Sequence, residues 1–301
     1  MRRVIIWGTG SDYDKYIPLI ELEAMKGNLE IVGVTSKEEH LRCVSRYRFI
    51  PVQRMEEENF DNIIITSAKF FQEICGEAAC HGIMRERIIH PEVFAIPYFD
   101  FGRYIKVAEK SPSIVSSHCW GGLVYHLLKI PFNSPFINTL FDDEDYLRLL
   151  ERLPYYISLP LKEGEIDRTR AVTGYLGDVK IQFIHHSSFI QAKADWEKRI
   201  GRLDLDNLFV EMTIGSGKEE IARKFATMNY DRKIAFCATP YEHKDIVYMK
   251  EWEVNQLAVK FSYMFGIYVL DMVKPVRKIA CPIDILKLLA GEGDFVMRHM
   301  G

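Results

Sequence analysis

Three short apolar runs, each followed by a helix-like stretch, constrain this chain more than any other feature. Arg3 to Trp7 ends at Gly8-Thr9-Gly10, Glu30 to Thr35 is the second run, and Asn62 to Thr66 the third. Leu19, Ile20, Leu22 and Met25 outline a helix between the first two, stopped by Gly27, and Glu38 to Tyr47 has helical composition before Pro51. Ser67 or Ala68 opens a helix through Cys80, and Arg87 to Pro91 reads as a fourth short strand. Strands alternating with helices at this spacing require parallel pairing through right-handed crossovers. The expectation is an α/β fold whose first domain, residues 1–110, is a Rossmann-like parallel sheet.

A second block begins at the small-residue cluster Ser111-Pro112-Ser113. It offers strands at Lys180 to Ile184, Leu208 to Thr213 and Lys233 to Ala238, with helices at Asp143 to Leu153, Phe189 to Arg202 and Lys218 to Ala226. Tyr248 to Val273 is apolar, aromatic and helical in character, and Asp284 to Leu289 is a further short helix. Residues 111–301 are therefore expected to form a larger α/β domain with a C-terminal helical segment.

Charge excludes broad classes of partner. With 39 basic and 42 acidic side chains the net charge is −3, which gives no general attraction to nucleic acid or to an anionic membrane. Phe261 to Val273 is interrupted by Ser262, Gly266 and Asp271 and is too short to span a bilayer. Met1-Arg2-Arg3 runs directly into the first strand and leaves no room for a signal peptide, so a cytoplasmic protein is expected. The six cysteines lie far apart without a CxxC pair, which favours reduced thiols over disulfides or zinc. No metal site is read from the sequence, and a homo-oligomer stays open.

The turn after the first strand has the layout of a phosphate-binding site. Gly8 and Gly10 allow close backbone approach, and Ser11 begins a helix whose amides would face an anion. A nucleotide or nucleotide-sugar is the ligand expected there. NAD is disfavoured, because the third glycine of the dinucleotide pattern is replaced by Tyr13 and the second strand ends in Thr35-Ser36-Lys37 without a ribose-binding acid. Pro18 predicts a turn longer than usual before the helix starts. The alternative is that the glycines only let the strand turn into the helix.

Two clusters in the second block carry candidate chemistry. Ser116-Ser117-His118-Cys119-Trp120-Gly121-Gly122 could place a Cys119 nucleophile beside backbone amides, with Gly121 and Gly122 forming an anion nest. The competing reading is a buried thiol at a strand-to-helix turn. Farther on, His185 at a strand end precedes a helix in which Trp196, Arg199 and Arg202 share one face. That arrangement suits a diphosphate clamp, with His185 as general acid or base and Trp196 stacking on a sugar or base. Solvated arginines paired with Asp195, Asp204 or Asp206 are the alternative. Asp142 or Asp143 is expected to cap the helix that follows.

Cys119-Trp120-Gly121-Gly122, Ser134-Pro135-Phe136-Ile137-Asn138, His185, Trp196, Arg199, Arg202 and Asp206-Asn207-Leu208-Phe209-Val210 together resemble a bacterial family of unknown function, over about Ile114 to Tyr241. Members tend to be described as exopolysaccharide or capsule biosynthesis proteins. The first domain, Val4 to Pro97, resembles Rossmann-like modules at the front of bacterial sugar-modifying proteins. The chain departs from the family pattern at His118, where an amide residue is usual, and at His186, where an aromatic is usual. The family itself has no assigned reaction; the leading expectation for this chain is an enzyme of surface-polysaccharide assembly that transfers a glycosyl or related group from a nucleotide-activated donor. Cys119-dependent acyl or thiol transfer, with His185 or His186 as base, and a non-catalytic binding or scaffold role are the other readings.

Overall fold

The computed structural model describes residues 1–37, 46–165, 171–249 and 283–296. Along them the strands are β1 (Arg2–Trp7), β2 (Leu29–Thr35), β3 (Asn62–Ile65), β4 (Ile88–Ile89), β5 (Ser113–Ser116), β6 (Thr139–Leu140), β7 (Lys162–Glu163), β8 (Val172–Leu176), β9 (Val179–Phe183), β10 (Leu208–Ile214), β11 (Lys233–Cys237) and β12 (Ile246–Tyr248). The helices are α1 (Ser11–Met25), α2 (Phe71–Cys80), α3 (Phe101–Lys110), α4 (Trp120–Leu128), α5 (Asp143–Glu151), α6 (Leu153–Ser158), α7 (Phe189–Ile200), α8 (Glu219–Thr227) and α9 (Ile285–Ala290). The fold is α/β. The described residues divide into two compact units, one within 1–109, 127–129 and 284–295, the other of residues 110–126, 130–165, 171–249, 283 and 296.

In the first unit, four parallel strands lie in the order β2-β1-β3-β4. Ile5, Trp7, Ile63 and Ile65 pack with Phe71, Ile74 and Ala78 of α2 on one face of that sheet. Gly8 adopts φ +112°, and a Cβ there would lie 2.7 Å from Thr66 Oγ1, so the turn after β1 needs glycine. The longer turn expected from Pro18 is not found, because α1 starts directly at Ser11 with Pro18 inside it. Proline at this position removes one intrahelical bond, and burial of Tyr13, Tyr16 and Ile20 on the face away from exposed Pro18 holds the helix regardless.

The second unit contains two sheets. β12-β11-β10-β5 is parallel throughout, whereas β6-β9-β8-β7 is antiparallel. The strand expected at Lys180 to Ile184 thus belongs to the antiparallel sheet. Its end, which leads into His185, is not the edge of a parallel sheet, where open α/β folds place ligands. Alternation along the parallel strands sends Val115, Val210, Met212, Ile214, Ala235 and Cys237 into one core with α5, α8, the antiparallel sheet and Trp196. Phe209, Glu211, Thr213 and Phe236 take the opposite face, where Trp120 of α4 stacks on Phe209 at 5.9 Å and tilts against Phe236 at 6.0 Å. The expected helix at Asp284 to Leu289 is α9, capped by Asp284 Oδ1 and ended by left-handed Gly291. From residue 250 the Tyr248 to Val273 segment lies outside the described residues, as do positions 38–45 of the Glu38 to Tyr47 segment.

Candidate functional site around Glu211

β10 reads Leu-Phe-Val-Glu-Met-Thr-Ile, an apolar strand with one acid in its centre. Glu211 is completely enclosed, beside Ser116 of β5 and Ile234 of β11 in the ladder. The chain turns sharply after Ser116, and Gly121 lets α4 return tightly over β5. A Cβ on Gly121 would lie 2.9 Å from both Ile114 Cγ2 and Ser116 Oγ. Ser116 Oγ donates to the His118 carbonyl (2.7 Å) and accepts from the Gly121 amide (3.1 Å). Ser117 locks the turn onto β10: its amide donates to the Glu211 carbonyl (3.1 Å) and its Oγ accepts from the Thr213 amide (3.1 Å). This turn carries the buried His118 ring to the Glu211 face of the sheet.

There His118 Nε2 lies 2.7 Å from Thr213 Oγ1, and that hydroxyl donates to Glu211 Oε1 at 2.9 Å. His118 Nδ1 accepts from the Trp120 amide (3.3 Å) and is 3.7 Å from Glu211 Oε2. Glu211 Oε2 has no hydrogen-bond partner, and neither does the buried Trp120 Nε1. From the other face the Tyr146 hydroxyl lies 2.9 Å from the Val115 carbonyl and 2.8 Å from the Glu211 carbonyl, its one hydrogen shared between them. Burial pushes the Glu211 carboxyl up to about 8, only partly offset by the Thr213 bond, and pushes His118 down to about 4. At neutral pH Glu211 therefore carries its proton and His118 is neutral. A carboxyl in that state can give a proton and, once ionised, take one back.

Of the residues expected to act, Cys119 stands next to this cluster in sequence, but it is 5% exposed and burial pushes its thiol up to about 11, away from the thiolate that a nucleophile requires. Gly121 and Gly122 are not an anion nest: both are buried, and a Cβ on Gly122 would press on Ile137 at 3.2 Å. Their role is close packing of α4. Trp196 is not a stacking platform, since it is 3% exposed with its ring edge-on to Phe136 (5.3 Å) and Phe183 (6.3 Å). Arg199 pairs with Asp195 at 3.1 Å and lies over the Phe132 ring, while exposed Arg202 reaches the Phe132 carbonyl at 3.4 Å. His185 is exposed, and it is His186 whose Nε2 meets Asp195, at 3.2 Å. Asp204, just beyond these arginines, is tied by its amide to Ser113 at the start of β5, whereas His118 follows the end of β5. The arginines and the Glu211 cluster thus attach to opposite ends of that strand. Asp142 holds the N-cap position of α5 without a side-chain bond.

In the first unit, Gly8 and Gly10 flank the start of α1 as expected. Ser11 is exposed, Gly10 offers no side-chain cap, and Asp12 and Asp14 occupy the first helical turn, where they oppose an anion. Sequence reasoning missed Glu211 and Thr213 and set His118 aside. The available signal was the lone acid within an otherwise apolar strand. A hollow of about 380 Å³ in the second unit, lined by Leu205, Asp206, Leu208 and Asn229 to Arg232, opens at the opposite end of β10 from Thr213.

A family model described as a domain of unknown function, DUF1919, matches residues 90–278, more than half of the 301 residues. The chain belongs to the DUF1919 family. Residues 1–89 match a model described as C2185-like, N-terminal. An uncharacterized protein of Haemophilus influenzae is 33% identical over 161 residues, covering 52% of this chain and 78% of that protein. The DUF1919 match takes in His118, Cys119, Glu211 and Thr213 together with Arg199 and Arg202. Among the described residues, no helix is long and apolar enough to cross a membrane, and no group of three or more His, Cys, Asp or Glu could hold a metal ion.

Proposed function

We propose that this chain is an enzyme of bacterial surface-polysaccharide biosynthesis that transfers a glycosyl or related group from a nucleotide-activated donor, with Glu211 managing the proton. The polysaccharide assignment rests on the motif resemblance between Cys119 and Val210. The chemical part rests on one observation: a wholly buried glutamate, bonded through one oxygen only, in the middle of a parallel strand. An unpaired buried acid costs folding free energy, and proton transfer is a use that requires that state. Transfer from an activated donor needs an acid for the departing phosphate oxygen, and protonated Glu211 meets that need. Arg199 and Arg202 are outside this proton step.

The test is a thermal-shift panel of nucleotide sugars on wild type, Glu211→Gln and Arg199→Ala, followed by product analysis with any donor that binds. The reading expects a donor that stabilises wild type and Glu211→Gln alike but is turned over only by wild type. Unchanged turnover in Glu211→Gln, or no donor binding at all, contradicts it. Enclosure of every Glu211 atom favours a second reading, a non-catalytic binding or scaffold protein. That reading expects Glu211→Gln to leave polysaccharide output in cells unchanged.

A further inference from the structure

The partners of His118 determine its tautomer. Nδ1 takes the Trp120 amide hydrogen, so the ring's own hydrogen sits on Nε2 and points to Thr213 Oγ1. A hydroxyl has one hydrogen. With its oxygen accepting from the ring, Thr213 directs that hydrogen to Glu211 Oε1. Oε1 then has a donor and Oε2 has none, while the nearby Nδ1 lone pair is already committed to Trp120.

We propose that His118 and Thr213 are positioning residues that orient one hydroxyl hydrogen onto Oε1 and thereby fix the exchangeable proton of Glu211 on Oε2. This rests on the reading of Glu211 as the proton-handling group. It explains why a neutral histidine is buried here: a neutral ring supplies one acceptor and one donor in fixed directions, and a protonated ring would lose the acceptor that Trp120 requires. The titratable groups facing Glu211 among the described residues are His118, from the turn after β5, and Tyr146, from α5. Tyr146 is held as a neutral phenol by burial and bonds only the backbone of Glu211, so Thr213 is the side-chain donor that offsets part of the rise that burial imposes on the carboxyl.

The experiment follows the side-chain carboxyl carbons of glutamate-labelled full-length protein by NMR from about pH 5 to about pH 10, using Glu211→Gln to identify the signal. Wild type should titrate with a midpoint near 8. Thr213→Val removes the donor that favours the ionised form and should move the midpoint up by about one pH unit, while Thr213→Ser should restore it. His118→Leu should move it the same way, and His118→Gln, which keeps one acceptor and one donor, should stay with wild type. A Thr213→Val midpoint equal to wild type, or His118→Gln behaving like His118→Leu, overturns the proposal. If His118→Leu does not fold, the Thr213 pair decides. Failure of the enzymatic reading shows separately, as unchanged turnover in Glu211→Gln whatever the midpoints are.

Discussion

The two units each bury a glutamate, and they treat it in opposite ways. Glu23, 2% exposed on α1, receives Lys26 Nζ at 2.6 Å, Asn28 Nδ2 at 2.7 Å and the Phe101 amide at 2.8 Å. Glu211, 0% exposed on β10, receives one hydroxyl on one oxygen. The first has both oxygens engaged and a cation beside it. The second is a carboxyl built to hold a proton. Burial alone therefore does not mark a working acid; the supply of donors does.

Substitutions should separate the two. Glu23→Ala leaves three donors unmatched around a cavity and should cost about 3–5 kcal/mol in urea unfolding, whereas Glu211→Gln at pH 7 should lose no stability, because the amide folds without the proton uptake that Glu211 requires. Equal losses at the two positions would erase the distinction. Gly121→Ala tests whether α4 must lie so close to β5: the added methyl meets Ile114 and Ser116 and should cost about 1–3 kcal/mol. A neutral Gly121→Ala would mean that the turn carrying His118 is loosely held. Cys119 should resist alkylation below pH 8 in the folded protein and react on unfolding, because its thiol is buried in apolar surroundings. Rapid labelling at neutral pH would return Cys119 to the set of nucleophiles. The smallest effect is expected from Arg199→Ala, about 1 kcal/mol or less, since its partner Asp195 is 37% exposed and also meets His186.

Much of the scaffold was legible from periodicity. The apolar runs ending at Trp7, Thr35 and Thr66 are the first three strands of the first sheet, and the helices on α7, α8 and α9 begin within a residue or two of where their patterns start. Four-residue β5 was hidden because Ser113 and Ser116 look like a linker, yet both are fully buried in the ladder. The antiparallel pairing of β9 was also hidden, since strand direction depends on the partner and not on the strand's own residues. Arg199 and Arg202 drew attention through helical spacing, but α7 ends at Ile200 and leaves Arg202 beyond it; Arg199 meets Asp195 and the Phe132 ring, and Arg202 the Phe132 carbonyl. Glu211 gave a weaker signal, one acid among apolar neighbours. Its unusual state comes from burial, which only the folded chain imposes.

The central claim is that Glu211 holds a proton in the folded protein at neutral pH, and its stability signature is direct. Folding raises this group from 4.5 to about 8, so its contribution is fully present below about pH 4.5 and is lost as pH rises through 8. Folding lowers His118 from 6.5 to about 4, so its contribution is present above 6.5 and is lost as pH falls through 4. Between pH 6.5 and 8 Glu211 acts without interference from His118. Urea unfolding of wild type and Glu211→Gln at those two pH values isolates the term. The account predicts that wild type loses about 2 kcal/mol relative to Glu211→Gln across the window. Parallel stabilities of the two proteins would contradict it.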